Sequence, residues 1–342
     1  MPKWTLAPVT PLSLYVKTPK RRVTNAELCE RLDSTPEWIE ERVGIRERRF
    51  MDPEVGLAEF SAEAVDKAIA LAGLTPGDID VVISVTSTPD WFFPSFGVTI
   101  AGQAGIATTR IVDLTQTACA GAIYAIYTAG CLLQEPGLEN ALIVVADRYS
   151  SITDPDDRRI RILFGDAAAA MVVRRCDTGG VLSYDLGNQP SGGARLPTPW
   201  HLRGDSDSTE LPRGPYLHLD GRDVWQAAVT LLPDSLLRAL SAAGVKVEDV
   251  SGFALHQANV RMLESMTRTL GADPELVPVT GDTLGNTAAV ASLTALHRLA
   301  QAGRAKRRDV ILMGAIGAGY MWGSMCFELA DDLRVGSSRA DR

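Results

Sequence analysis

Apolar residues gather along this chain in two kinds of run. Short blocks such as "VVISV" (81–85), "ALIVVA" (141–146), "AAAAMVV" (167–173) and "VILMGAI" (310–316) are nearly unbroken, the pattern of strands covered on both faces. Between them lie longer blocks with helical spacing, several closing on a glycine. The alternation predicts an α/β protein whose sheets are sandwiched by helices.

The order of blocks repeats. "AIALAGLTPGDIDVVISV" (68–85) parallels "ALSAAGVKVEDVSGFALH" (239–256): helix end, glycine stop, a turn with Asp, then a strand, with Gly73 matching Gly244 and Asp78 matching Asp249. "VDLTQTACAGAIYAIYTAGCLLQ" (112–134) parallels "VPVTGDTLGNTAAVASLTALHRLAQ" (277–301), which aligns Cys119 with Asn286. "NALIVVAD" (140–147) then matches "DVILMGAI" (309–316), and 167–175 matches 321–329. The repeat predicts a duplicated α/β half-domain folded about a pseudo-twofold axis. The halves are residues 1–175 and 176–335, with 336–342 a flexible tail. Two equivalent helices then meet with their N-termini near the axis, where a site can draw on both halves.

Composition narrows the class. The chain has 342 residues, 46% hydrophobic and 22% charged, an ordinary soluble balance. Net charge −8 argues against nucleic acid as a partner. No stretch reads as a secretory leader or a membrane span. Five scattered cysteines without a CxxC pair point away from zinc and disulfides and towards a reducing cytoplasm. Arginines cluster at 42, 46, 48 and 49, at 158, 159 and 161, and with Lys306 at 304, 307 and 308. Such clusters read either as solvated loops or as an anion site for a phosphorylated cofactor or an acidic carrier protein.

Candidate chemistry centres on Cys119. Ala118, Gly121, Ala122, Ala125 and Ala129 make the helix that follows it small-sided and buried. Cys119 then reads either as core filler or as a nucleophile at a helix start, where dipole and free N–H groups favour a thiolate and can hold an oxyanion. Of four histidines, His201, His218 and His297 read as structural, whereas His256 sits where a strand ends and a helix begins, the place where α/β sheets bind ligands. Asn286 in "LGNTAA" reads as a helix cap or as a donor to a thioester oxygen. Together the three form a set that could hold an acyl group and stabilise an enolate.

Six segments in one order carry a resemblance: "TPEWIEERVGIRERRF" (35–50), "ACAG" (118–121), "DPDDRRIRILFGDAAAA" (154–170), "HQAN" (256–259), "GNTAA" (285–289) and "GAGYMWGS" (317–324). Over nearly its whole length the chain resembles the β-ketoacyl-acyl-carrier-protein synthase III family of the thiolase superfamily. The resemblance implies a thiolase-like fold in five layers, α-β-α-β-α. It implies Cys119 as acylated nucleophile, His256 and Asn286 as a second oxyanion site, and an oxyanion turn at Gly317, Ala318 and Gly319. It implies coenzyme A contacts at Trp38, Arg42 and Arg158, with Trp38 and Arg158 on either side of the adenine. It also implies an acyl tunnel involving Phe93 and Trp225, Phe93 reaching across a homodimer interface, and carrier-protein docking at Arg261. "FGDAAAA", Ala318, Trp225, Gln226 and the polar "LTQT" depart from the family's usual residues.

The activity so implied is acyl transfer from acyl-CoA or an acyl carrier protein to Cys119, then decarboxylative condensation with a malonyl thioester, in fatty acid or polyketide synthesis. The alternative is passage of the acyl group to a hydroxyl, an amine or another carrier without condensation. A non-catalytic partner subunit is the contrasting class, and it would ordinarily lack the nucleophile. Coenzyme A or phosphopantetheine thioesters enter as substrates, with no permanent cofactor and no metal.

Overall fold

A computed structural model describes residues 6, 8–107, 110–191, 193–197 and 215–338, and in it each of those apolar blocks is a strand. The first half runs β1 (Val9–Lys17), β2 (Arg21–Thr24), α1 (Asn25–Cys29), α2 (Pro36–Val43), β3 (Glu47–Phe50), α3 (Leu57–Ala72), β4 (Val81–Val85), α4 (Phe96–Gln103), β5 (Arg110–Leu114), α5 (Gly121–Leu132), β6 (Asn140–Asp147), α6 (Arg158–Arg161) and β7 (Ala167–Arg175). The second runs β8 (Gly180–Asn188), β9 (Ala194–Arg195), β10 (His218–Leu219), α7 (Gly221–Ala243), β11 (Gly252–Leu255), α8 (Val260–Leu270), α9 (Gly281–Leu284), α10 (Ala291–Gln301), β12 (Val310–Gly317), β13 (Met321–Glu328) and β14 (Arg334–Ser337).

The main sheets have orders β14-β1-β7-β6-β4-β5 and β11-β12-β13-β8. Their pairing senses match: β4 is parallel to β6 as β11 is to β12, and the next two neighbours are antiparallel in both. Alternation along the strands builds the layers. Ile143 and Val145 face α5 and α10, whereas Leu142 and Val144 face α3 and α4. In the second sheet Ile311 and Met313 face α5 and α10, while Leu312, Phe253 and Leu255 face α7 and α8. The result is the five-layered duplicated fold, with the small-sided helices α5 and α10 buried between the sheets. Side-chain size explains that position, because alanines and glycines let two sheets close over one helix layer.

Two details differ from the expectation. The turns that open α5 and α10 each carry an alanine of positive φ, Ala118 at 45° and Ala288 at 50°. Their spacing, like that of β6 and β12, is 170 residues, so Cys119 stands opposite Ala289, and Asn286 lies three residues before that place. The segment expected as a tail begins inside β14: Gly336 and Ser337 pair with Tyr15 and Val16 of the first sheet, and residues 339–342 lie outside the described part.

The halves meet backbone to backbone beside this layer. Asn286 N–H donates to Leu163 O at 2.8 Å, and Gly165 N–H donates to Asn286 O at 3.1 Å. A Cβ on Gly165 would lie 2.1 Å from the Leu284 carbonyl oxygen, a backbone atom that cannot swing aside. Gly165→Ala should therefore cost about 1–3 kcal/mol by overpacking, read as a lowered thermal midpoint; an unchanged midpoint would show that the seam tolerates the methyl group.

Candidate active site

Cys119 lies in the 3₁₀ turn Ala118–Ala120, just before α5, with its side chain packed against the cluster of Tyr149, Ile160, Phe164, Leu217 and Ala288. His256 follows β11, and its N–H donates to Gly314 O at 2.9 Å. Asn286 follows α9 in the turn that leads to α10. All three line one cavity of about 80 Å³, whose walls include Tyr149, Phe164, Leu217, Val224, Met262 and Ile316. Tyr149 and Phe164 stack at 4.7 Å between ring centroids.

The polar atoms within this apolar wall are specific. Asn286 Oδ1 accepts the Ala288 N–H at 2.9 Å. This bond closes the turn that leads to α10, whose N-cap is Val290 and not Asn286 as the cap reading has it, and it leaves the Asn286 NH2 group as the donor at the cavity that Asn286 lines. His256 is buried, its Nδ1 has no partner among the described residues, and burial lowers its pKa to about 4. At neutral pH it is an uncharged imidazole, one nitrogen a donor and the other an acceptor. Cys119 corrects the expectation of a resting thiolate. Burial, then the negative charge of Asp147, push its thiol up to about 12, and this outweighs the helix-start effect. Deprotonation must therefore coincide with attack or pass through a base. Among the described residues no oxygen takes the Cys119 N–H, which faces its own sulfur. Gly317, which ends β12, lies against it: a Cβ there would sit 2.7 Å from Cys119 N. Ala318 also lines the cavity, while the carbonyl of Gly319 accepts Ser191 N–H at 2.7 Å.

The remaining motif residues divide. Trp38, 40% exposed on α2, has the Arg158 guanidinium over its ring at 5.4 Å. A base stacked between them needs roughly 7 Å, twice a carbon contact distance, so Arg158 must swing out to admit one. Arg42 is exposed one turn along α2 from Trp38. Arg261 Nε donates to Glu41 O at 3.1 Å, which brings the start of α8 to the same face. Trp225 is 37% exposed and does not line this cavity, which Val224 and Ala228 of α7 line instead. Phe93 is 90% exposed and does not line the cavity of its own chain.

Other signals prove structural. Within "HQAN", Gln257 bridges Leu255 O and Pro278 O with its amide and takes Thr280 N–H, and Asn259 caps α8 through Met262 N–H at 2.8 Å. Arg48 is fully buried and donates to Asn25 Oδ1 and Ile162 O. Arg46 pairs with Asp282 and Arg159 with Asp157. Arg304, Lys306, Arg307 and Arg308 precede β12, about 25 Å from the end that bears the site. His218 and His297 do not line the cavity, and His201 lies outside the described residues. Sequence reasoning missed Tyr149 and Phe164, which line it; Tyr149 stands two residues past the end of β6, the strand-end signal that singled out His256. Among the described residues no metal-binding cluster of His, Cys, Asp or Glu forms, and no helix is long and apolar enough to cross a membrane.

Comparison with known proteins agrees with this geometry. Residues 112–190 match the family model for 3-oxoacyl-[acyl-carrier-protein (ACP)] synthase III, and 240–329 match the model for its C-terminal part. The chain is 37% identical over 308 residues to β-ketoacyl-[acyl-carrier-protein] synthase III 1 of Bacillus anthracis, covering 90% of this chain and 94% of that protein. Among solved structures, 3-oxoacyl-[acyl-carrier-protein] synthase III of Aquifex aeolicus superposes with a TM-score of 0.84 at 31% identity, covering 94% of this chain and 99% of the other. The priming β-ketosynthase of a polyketide biosynthetic pathway superposes at 0.88 and 31%, covering 96% and 98%.

The raised thiol of Cys119 has a direct readout. In the unacylated protein, iodoacetamide labelling at Cys119, followed by peptide mass, should rise continuously from pH 6 to 10 as the thiolate fraction grows. A plateau below pH 8 would mean a stabilised thiolate and overturn this account.

Proposed function

The chain belongs to the 3-oxoacyl-[acyl-carrier-protein] synthase III family, and on that premise we propose the following roles for its site. Cys119 Sγ attacks the carbonyl of an acyl-CoA or acyl-carrier-protein thioester. The Cys119 N–H and an N–H of the Gly317–Ala318–Gly319 turn hold the oxyanion. The thiol proton passes through His256 to the departing thiolate, leaving an acyl-cysteine and a free thiol. A malonyl thioester then enters and loses carbon dioxide. The electron pair of the broken C–C bond moves into an enolate whose oxygen accepts hydrogen bonds from His256 and the Asn286 NH2. The enolate carbon attacks the acyl-cysteine carbonyl, Sγ leaves, and a β-ketoacyl thioester departs.

The observation that carries this reading is the state of Asn286. With Oδ1 committed to Ala288 N–H, it meets the cavity only as a donor, which an enolate needs and simple acyl transfer does not. Trp38, Arg42 and Arg158 offer one face to a coenzyme A nucleotide, and Arg261 on that face suits an acidic carrier protein. The halves 1–175 and 176–335 act as one unit, since Cys119 comes from the first and His256 and Asn286 from the second.

We also propose a homodimer. Trp91, Phe92 and Phe93 are 71%, 59% and 90% exposed in one loop, and β5 beside them is the open edge of the six-stranded sheet. An unpaired edge next to an aromatic patch is an interface pattern, and it would deliver Phe93 to the partner's cavity.

Two outcomes follow. Intact mass with a panel of acyl-CoA and acyl-carrier-protein donors should show an adduct that Cys119→Ala abolishes. Asn286→Ala should still load within about tenfold of the parent but lose carbon dioxide release from malonyl carrier protein by on the order of 10²–10³. A parent protein that loads but never releases carbon dioxide would make transfer to a hydroxyl or amine the better reading. Light scattering at micromolar concentration should return twice the chain mass, and a monomer would sink the interface assignment.

A further inference from the structure

Asp147, the last residue of β6, is fully buried beside the site, and the steps above make no use of it. One carboxylate oxygen accepts Ser87 N–H at 2.7 Å; the other accepts Ala289 N–H at 3.3 Å, across the seam between the halves. Burying a carboxyl group is costly unless it is well bonded, so its placement calls for a reason.

The duplication supplies one. β6 and β12 correspond with an offset of 170, and so do the two turns with positive φ at Ala118 and Ala288. Asp147 therefore answers to Gly317, and Ala289 answers to Cys119. In one half a carboxylate takes the N–H of the turn. In the other the same place holds a glycine without a side chain, and the Cys119 N–H stays open. A Cβ on Gly317 would already lie 2.7 Å from that nitrogen. One turn is thus closed off and its twin is left to bind an oxyanion.

The closed turn is the one that carries Asn286. Its two successive N–H groups are both taken, Ala288 by Asn286 Oδ1 and Ala289 by Asp147. Ala288 holds a positive φ of 50°, which is unfavourable for a residue with a Cβ, so the turn needs an external hold. Released from Asp147, the Ala289 N–H becomes a second claimant on Asn286 Oδ1, and the strained residue is free to relax. Either change re-aims the carboxamide.

We propose that Asp147 is the positioning residue for Asn286: by accepting the Ala289 N–H it fixes the turn that presents the Asn286 NH2 group to the enolate oxygen. This rests on the enolate role given to Asn286 above. Burial is the larger cause of the raised Cys119 thiol, and the charge of Asp147 is the second. Removing that charge therefore favours the thiolate. The two half-reactions are expected to move apart, which a general loss of structure would not produce.

The test uses the full-length protein. Asp147→Asn keeps the size but puts an NH2 group against one of the two N–H donors; Asp147→Ala removes both acceptors. Loading at Cys119 is followed by intact mass, and carbon dioxide release by label from malonyl carrier protein. Loading should match or exceed the parent, while carbon dioxide release should fall on the order of 10²-fold, the scale of a 1 Å misplacement. Combining Asp147→Asn with Asn286→Ala should release carbon dioxide no more slowly than Asn286→Ala alone, as expected of residues acting through one group. Loading and release that fall together in both variants, release that is unchanged, or an additive double variant would each overturn the positioning role. A parent protein that releases no carbon dioxide would instead overturn the condensing reading on which this one stands.

Discussion

The contact on which the site depends is the backbone seam between 163–165 and 284–286. Asn286 is held there from both sides, its N–H by Leu163 and its carbonyl by Gly165, before its side chain does anything. That seam lets Asn286 of the second half line one cavity with Cys119 of the first. It also gives two glycines far apart in the chain one physical reason: Gly165 and Gly285 face each other, and a Cβ on either would run into backbone of the opposite segment. Short backbone contacts of this kind have no side-chain freedom with which to adjust. The precision of the site is inherited from main chain, which suits chemistry sensitive to fractions of an ångström.

Electrostatically the cavity is kept close to neutral. Of the titratable groups that line it, His256 is uncharged and Cys119 rests as a thiol. An apolar wall of Tyr149, Phe164, Leu217 and Ile316 surrounds them. Charge therefore arises there chiefly during reaction, on the acyl oxyanion or on the enolate. Fixed N–H dipoles act most strongly on such charge where water is scarce. Positive charge lies outside, on the exposed Arg42, Arg158 and Arg261, where it adds no desolvation cost to the interior.

Much of this was legible in the sequence because the signals were local. Strand blocks, glycine stops and their repetition gave the duplicated α/β fold, and strand ends drew attention to His256. The pairing of Cys119 with Asn286 was three residues out, because the helices were aligned on their ends, whereas the conserved geometry lies in the turns at Ala118 and Ala288, which no residue type advertises. The resemblance implies a tunnel role for Trp225, yet a helix turns about 100° per residue and it is Val224 and Ala228 that line the cavity in this chain. The resting thiolate was expected from a helix N-terminus alone. Burial and Asp147 reverse it, and both are tertiary facts. Tyr149 and Phe164 look like ordinary core aromatics in sequence, and only their packing against Cys119 and their place in the cavity wall mark them.

The parallel pairing of β14 with β1 has a consequence for how the chain comes to be folded. β1 precedes β14 in the chain by some three hundred residues, so the first sheet carries an open edge for as long as the intervening residues take to be synthesised. At the usual pace of translation that interval is on the order of tens of seconds. Until the second half is made, the first half also exposes the apolar side of α5 that packs against the second sheet. An open strand edge beside an apolar face is adhesive, so the nascent first half is aggregation-prone until β14 closes it.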